Sequence, residues 1–208
     1  MKDPGIQGDF RANSYGQKGS TLVDRLRTAL IGRSIRACLP HKADLLALDL
    51  GCGYHATHLR AIRSRLSRGV GVDFSVSEEC QRIPGLEFII GPLEPTLSGL
   101  PSDEFDLVLF ISVLEHLWDP LAALTHCHRV LKASGLLMLN VPTWWAKPVL
   151  EISAFRLGTS PAVEMDDHKM YYSKRDLWPL LVRAGFKPSR IKLHYQRLGM
   201  VLFGLVTK

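Results

Sequence analysis

Leu48-Asp49-Leu50-Gly51-Cys52-Gly53 is the stretch that decides the fold of this chain. Apolar residues from Leu45 to Leu50 predict a buried strand, and Asp49 places a carboxylate near its carboxyl end. Gly51 and Gly53 allow the backbone to turn sharply and to approach a ligand closely. A helix that begins just afterwards would aim its N-terminal N–H groups at the same turn. The stretch therefore predicts a ligand-binding turn at the end of a parallel strand.

Composition and length predict an ordinary globular protein. Of the 208 residues, 46% are hydrophobic and 22% charged, which suits one domain over residues 1–208. No apolar run approaches the roughly 18 residues that span a bilayer. Residues 1–5 lack the apolar stretch of a secretory signal, so we expect a cytoplasmic protein. The net charge of +6 is spread over predicted helix faces. Exposure of these faces to solvent accounts for the positive charge more simply than binding of an anionic partner.

Short apolar segments alternate with segments of helical spacing along the middle of the chain. The predicted strands are 45–50, 69–73, 86–90, 105–111 and 135–141, and the predicted helices between them are 55–66, 76–83 and 119–132. These strands mostly lack period-two alternation, as expected of strands covered on both faces. The pattern predicts an α/β fold with a parallel sheet between layers of helices.

The two ends of this alternation have a different character. Residues 1–40 predict a loose arm followed by a helix, and residues 143–170 predict an irregular insert or lid with a short helix near 148–157. A further helix up to about Ala184 and two strands, 188–195 and 200–207, complete the chain.

Asp73 ends the second predicted strand, 20 residues after Gly53. An acid at this spacing can accept both hydroxyls of a ribose, and its alternative role is the N-cap of the segment that follows. Gly51-x-Gly53-x-x-Ala56 also fits the spacing of dinucleotide-binding turns. A pyrophosphate would be repelled by Asp49, whereas S-adenosylmethionine carries an ammonium and a sulfonium and no phosphate. S-adenosylmethionine is therefore favoured over a dinucleotide.

Four segments in order resemble the class I S-adenosylmethionine-dependent methyltransferases, of the small-molecule branch often called type 11. They are Leu48 to Gly53, Gly71 to Ser75, Phe105 to Leu117 and Arg129 to Leu137. The resemblance implies a Rossmann-like, doubly wound sheet of seven strands in the order 3-2-1-4-5-7-6, with the last strand antiparallel and helices on both faces. It also implies S-adenosyl-L-methionine as cofactor and S-adenosyl-L-homocysteine as product.

The resemblance further implies cofactor-binding roles for eight residues. Asp49 would bind the methionine ammonium, Gly51 and Gly53 would pass beneath the methionine part, Asp73 would hold the ribose hydroxyls, Phe74 and Leu93 would lie against the adenine, and Ile111 and Ser112 would contact the methionine end. Two positions depart from the family pattern. His55 stands where a third glycine is usual, and Pro92 where an Asp usually meets the adenine amino group.

His116 and His168 are the candidates for a general base that would deprotonate a hydroxyl acceptor. His116 follows the fourth strand, and its alternative role is structural. His168 follows Asp166 and Asp167, which could orient it, although the segment also fits a solvated loop. We expect no metal, because the other histidines do not supply three ligands at suitable spacing.

The expected function is methylation of a small molecule or of a glycan or lipid-linked precursor, most simply at oxygen. The alternative is a non-catalytic binding or scaffold subunit of the same fold. The apolar residues of 144–157 predict extra core at the sheet edge, a lid that forms an acceptor pocket, or a surface that makes peripheral membrane contact. We expect no nucleic-acid partner, because the Asn/Asp-Pro-Pro-aromatic motif of base-amino methyltransferases is absent after the fourth predicted strand.

Overall fold

The structure is a computed structural model that describes residues 22–150 and 167–208. Strands and helices alternate along the described residues. The helices are α1 (Leu22–Cys38), α2 (Thr57–Ile62), α3 (Glu78–Gln81), α4 (Leu93–Gly99), α5 (Pro120–Val130) and α6 (Lys174–Arg183). The strands are β1 (Leu45–Leu50), β2 (Leu66–Asp73), β3 (Leu86–Ile90), β4 (Phe105–Ile111), β5 (Leu131–Pro142), β6 (Ile191–Gln196) and β7 (Val201–Thr207).

The seven strands have the order β3-β2-β1-β4-β5-β7-β6. β2 pairs in parallel with β1 and β3, β4 pairs in parallel with β5, and β7 is antiparallel to β5 and β6. The predicted Rossmann-like fold class, with this order and an antiparallel last strand, is confirmed. The chain divides into two compact units at the boundary between Thr96 and Leu97. The single domain over residues 1–208 stays a prediction.

The first unit contains β1, β2 and β3. β1 is almost wholly buried, as its run of apolar residues predicts. β2 contains Gly71, where a Cβ would lie 2.7 Å from the Phe88 ring and 2.9 Å from the Cys52 sulfur. Glycine at this position therefore lets β3 and the turn after β1 pack tightly against β2.

α2 in the first unit and α4, which crosses the boundary at Thr96, differ from the sequence predictions. α2 begins at Thr57 rather than near residue 55, because Ala56 adopts a left-handed conformation with φ 43° that extends the turn. α4 is not among the predicted helices, and its residues include Pro95, which is typical of turns. Burial of its apolar residue Leu97 explains why the segment is helical nevertheless.

The second unit contains β4 to β7. β5 begins at Leu131 rather than at 135, and its register with β4 shifts between Phe105 and Leu107. The irregularity coincides with Ser134, whose φ of 66° is left-handed. α6 begins with the capping box of Ser173 and Asp176, as the serine at this position predicts. β6 begins at Ile191 rather than at 188, because residues 188–190 form a 3₁₀ turn.

Parts of two predictions lie outside the described residues. They are the arm over 1–19 and most of the insert, of which 143–150 and 167–170 are described and 147–150 are helical. Among the helices that the structure describes, none has the length and apolar character needed to cross a bilayer.

Candidate functional site

The turn after β1 is held against the end of β2 by backbone hydrogen bonds. Gly51 and Gly53 have φ values of 72° and 73°, a left-handed conformation that favours glycine. The N–H groups of Gly51 and Cys52 both donate to the carbonyl oxygen of Val72, at 2.8 and 3.1 Å. The predicted glycine turn is therefore present, with its backbone fixed at the carboxyl ends of two parallel strands.

Asp73 fixes the same turn through its side chain. One carboxylate oxygen accepts a hydrogen bond from the Gly53 N–H at 2.7 Å, and the other accepts from the Phe74 N–H at 2.8 Å. The N-cap of α3 is Ser77, so the alternative prediction of an N-cap role for Asp73 is wrong. Ribose binding stays a prediction, and it is compatible with these bonds because each carboxylate oxygen has two lone pairs.

Asp49 is a fully buried carboxylate in β1. Neither of its oxygens has a hydrogen-bond partner among the described residues. Burial, and to a smaller degree the negative charge of Asp73, raises the pKa of Asp49 to about 8. An ionised carboxylate in this environment requires a cationic partner. The residues present therefore fit the ammonium group of S-adenosylmethionine, as the acid near the strand end predicts.

The first unit contains both departures from the family pattern, His55 and Pro92. His55 does not have a positive φ and its side chain is exposed, so this position does not require glycine. Pro92 directly precedes α4, whose first residue, Leu93, is buried with 7% of its surface exposed. The adenine contacts predicted for Phe74 and Leu93 stay predictions.

Ser112 directly follows β4 and lies in a strained turn of the second unit. Its φ of 56° is left-handed, and the side-chain oxygen of Asn140 accepts from its N–H at 2.8 Å and from its hydroxyl at 3.0 Å. Ile111 directly before it is buried. Asn140 is not among the predicted site residues, although an amide within an apolar strand is the pattern that could have identified it. The predicted cofactor contacts of Ile111 and Ser112 stay predictions.

We expect Asn140→Ala to destabilise the protein by about 1–2 kcal/mol, because Ser112 loses its side-chain acceptor in a strained turn. Thermal unfolding should show this as a fall of about 2–4 °C in Tm per kcal/mol. Ser112→Gly is the matched control. It loses the hydroxyl, which destabilises the turn, but it also relieves the left-handed strain, so its Tm should stay within about 2 °C of the original. An Asn140→Ala protein with unchanged Tm would show that the amide does not support the turn.

The structure brings together the two histidines that were predicted as bases. His116 lies in a 3₁₀ turn after β4, and the centres of the His116 and His168 rings are 4.8 Å apart. The backbone N–H groups of Lys169 and Met170 both donate to the carbonyl oxygen of Glu115, at 2.7 and 3.3 Å. These bonds fix the segment that carries His168 on the turn that carries His116.

Acidic side chains complete this cluster of the second unit. Asp167 lies 3.1 Å from Nδ1 of His116, although the two residues are 51 positions apart in the sequence. The other oxygen of Asp167 accepts from Lys169 at 2.5 Å. Glu115 is buried, with 2% of its surface exposed. Asp167 was predicted to orient His168, and it contacts His116 as well. Glu115 was not predicted, although its position beside His116 after a buried strand was an available signal.

Comparison with known proteins agrees with the fold and points to one family. Residues 23–190 match the family model described as a methyltransferase domain. A probable S-adenosylmethionine-dependent methyltransferase of Mycobacterium tuberculosis is 32% identical over 149 residues, which are 69% of this chain and 48% of that protein. A ubiquinone biosynthesis O-methyltransferase of Cereibacter sphaeroides is 32% identical over 175 residues, which are 75% of this chain and 65% of that protein.

The solved structure of an S-adenosylmethionine-dependent methyltransferase from Archaeoglobus fulgidus shares the fold, with a TM-score of 0.66 at 16% identity over 92% of this chain and 96% of that chain. This chain spans about half the length of the mycobacterial relative. The match over most of the chain, the strand order and the glycine turn beside a buried acid agree with one another. The chain therefore belongs to the class I S-adenosylmethionine-dependent methyltransferases, whose cofactor is S-adenosyl-L-methionine.

Proposed function

We propose that this protein transfers a methyl group from S-adenosylmethionine to an oxygen atom of a small-molecule acceptor. The observation that carries the proposal is the buried Asp49 carboxylate, which has no hydrogen-bond partner among the described residues and lies beside a glycine turn fixed by Asp73. A site built only as core would have an apolar residue at position 49, because an unpaired buried carboxylate destabilises a folded protein.

The cofactor supplies a methyl carbon that its sulfonium group has already activated for displacement. The task left to the protein is positioning, which can lower the barrier by about 7–11 kcal/mol. Asp49 holds the ammonium of the donor, and the turn at Gly51 and Gly53 allows close approach of the backbone. Asp73 orders that turn and offers its remaining lone pairs to the ribose hydroxyls.

An acceptor hydroxyl must also lose its proton, and the second unit offers a base. The hydrogen bond from Nδ1–H of His116 to Asp167 orients the ring and puts its lone pair on Nε2. His168 is the second candidate, with Nδ1 3.2 Å from the Tyr171 hydroxyl. A placed general base typically accelerates such a step by about 10²–10⁴-fold.

Exposed aromatic side chains support an acceptor with an apolar part. Trp144 and Trp145 have 51% and 69% of their surfaces exposed, and Leu198 has 93%. A groove of about 450 Å³ lies along these residues and Tyr195. Quinone-like phenols, lipid-linked glycan precursors and peripheral membrane contact all fit such a surface. The relatives from Cereibacter sphaeroides and Dinoroseobacter shibae that are named for ubiquinone biosynthesis favour the phenol class.

We expect S-adenosylhomocysteine to bind, and to bind more tightly as the pH rises from 6 towards 8. Asp49 is protonated below its pKa of about 8, so an ammonium that favours the ionised form must displace that proton. Affinity should rise by up to about tenfold per pH unit and then level off. Calorimetry in two buffers of different ionisation enthalpy should show release of a proton at pH 7.

The matched control for this titration is Asp49→Asn, whose residual binding should release no proton. Binding that is equally tight at pH 6 and pH 8 would contradict the role of Asp49. No binding by folded protein at any pH would contradict the proposed function itself. Methyl transfer to any acceptor in a screen of phenols and glycans would exclude the scaffold alternative.

A further inference from the structure

Glu115, His116 and His168 bring three metal-ligating groups together in the second unit. One ligand atom from each lies within 4.8 Å of the other two. Ligands of one four-coordinate zinc ion, with bonds of about 2.0–2.2 Å, lie about 3.4 Å apart, so small side-chain adjustments would close the site. We propose that these three residues bind a divalent metal ion of the zinc type and that the acceptor oxygen binds to the same ion. Two histidines and a glutamate form a typical catalytic zinc site, which keeps a position open for water or substrate.

The contacts around the histidines are those that a metal ligand needs. Asp167 accepts from Nδ1 of His116 at 3.1 Å, which directs the lone pair of the ring to Nε2. The Tyr171 hydroxyl lies 3.2 Å from Nδ1 of His168 and orients that ring in a similar way. Carboxylate and hydroxyl partners of this kind orient histidine ligands and raise their basicity. Both histidine rings are therefore oriented by side-chain contacts, which a solvated loop would not need.

The backbone fixes the three ligands relative to one another. Glu115 and His116 share one 3₁₀ turn after β4. The carbonyl oxygen of Glu115 accepts the N–H groups of Lys169 and Met170, the two residues directly after His168. The segment that carries His168 is thus hydrogen-bonded to Glu115, although the two segments are far apart in sequence. This limits the rearrangement that metal binding requires.

The charges of the cluster favour a cation. Glu115 and Asp167 place two carboxyl groups in the cluster, and Lys169 pairs with Asp167 at 2.5 Å. Tyr172 borders the cluster, and its pKa is raised by burial and then by the charge of Glu115, which keeps this phenol neutral. The His116 side chain is 23% exposed, so an ion can reach the site from solvent.

The role of the ion rests on the proposed function. An acceptor hydroxyl that binds the cation becomes more acidic and loses its proton to water, as water bound to catalytic zinc does near neutral pH. The oxygen then forms a bond to the methyl carbon while the carbon–sulfur bond breaks and leaves its electron pair on sulfur. The products are the methyl ether, S-adenosylhomocysteine and one proton. In this scheme His116 and His168 are ligands, and the bound cation replaces an imidazole base.

The test uses the full chain, stripped of metal with a chelator and then titrated with Zn²⁺, Co²⁺ or Mg²⁺. We expect one Zn²⁺ per chain by calorimetry and elemental analysis, a visible absorption spectrum of low-coordinate Co²⁺, and much weaker binding of Mg²⁺, which prefers oxygen ligands. Asp167→Asn should weaken Zn²⁺ binding by about 10–100-fold, and loss of a ligand in His116→Ala or His168→Ala should weaken it further.

The matched control is His194→Ala, which removes an exposed histidine of β6 and should leave Zn²⁺ affinity unchanged. Equal Zn²⁺ affinity in the original protein and in both ligand variants would overturn the site. Because Glu115 is buried, folding of the Glu115→Gln variant is checked first by its Tm in the presence of chelator. If Glu115→Gln does not fold, Asp167→Asn is used in its place.

The outcomes separate this inference from the proposed function. S-adenosylhomocysteine binding by metal-free protein tests the donor site alone, because Asp49 and Asp73 belong to the first unit. Donor binding with no Zn²⁺ bound would overturn the metal site and leave the imidazole as the base. Zn²⁺ binding that is lost in the ligand variants would support the metal site even if no donor bound.

Discussion

Asp49→Asn should stabilise the ligand-free protein at pH 8 and weaken its binding of S-adenosylhomocysteine. The asparagine amide is nearly isosteric with the carboxylate but carries no charge, so it avoids the cost of an ionised group that is fully buried in β1. Loss of one partner of a buried charge pair typically costs about 2–5 kcal/mol of binding free energy, which corresponds to a fall in affinity of about 30-fold to a few thousand-fold.

The stability gain of this variant should depend on pH in a defined direction. Asp49 has a folded-state pKa of about 8, above its ordinary value of 3.8. The protonated form is therefore favoured by folding, and the original protein loses stability relative to the variant as the pH rises from about 4 to 8. The difference in Tm between the two proteins should grow from pH 6 to pH 8 and then stay constant. Each kcal/mol corresponds to about 2–4 °C in a protein of this size.

Leu50→Val is a matched control for the packing of β1, since Leu50 is equally buried but uncharged. Its Tm difference should not vary with pH between 6 and 8.5, and its donor affinity should stay within about threefold. A pH-independent Tm difference for Asp49→Asn would mean that the carboxylate is not protonated in the folded protein. Unchanged donor affinity would mean that Asp49 does not meet the ammonium.

The donor side of the site was largely predictable from sequence because its residues are close together along the chain. The buried strand, Asp49 and the two glycines lie within nine residues, 45–53, where hydrophobic run length and turn chemistry are informative. The acid at position 73 followed from its spacing to Gly53. What sequence could not show was that the Asp73 carboxylate accepts from Gly53, since this depends on the register between β1 and β2.

The cluster of the second unit was predictable only as separate residues. His116 and His168 were selected by residue type and by their places after a strand and an insert. Their contact depends on backbone hydrogen bonds between segments about fifty residues apart, for which local periodicity contains no signal. For α4 the local signal was present but misleading. Proline and glycine are strong turn signals, and burial of Leu97 outweighs them.

Asp73→Ala should reduce S-adenosylhomocysteine affinity by at least about 100-fold, because one carboxylate serves two purposes. It accepts from the N–H groups of Gly53 and Phe74, and each hydrogen bond to a charged group contributes about 1.5–3 kcal/mol. It is also predicted to hold the ribose hydroxyls. The Tm should fall by only a few degrees, because removal of Asp73 also relieves its own desolvation and its repulsion of Asp49.

The two purposes of Asp73 can be separated with a second variant and a second ligand. Asp73→Asn keeps one oxygen that can accept from Gly53, so it should recover much of the turn but only part of the ribose binding. A donor analogue without ribose hydroxyls should bind the original protein less tightly than S-adenosylhomocysteine, whereas Asp73→Ala should bind both equally. If Asp73→Ala still discriminated between them as strongly as the original protein, the ribose role would be wrong and only the turn would depend on Asp73. In both variants proton release by Asp49 should move to lower pH, since the neighbouring negative charge that raises its pKa is gone.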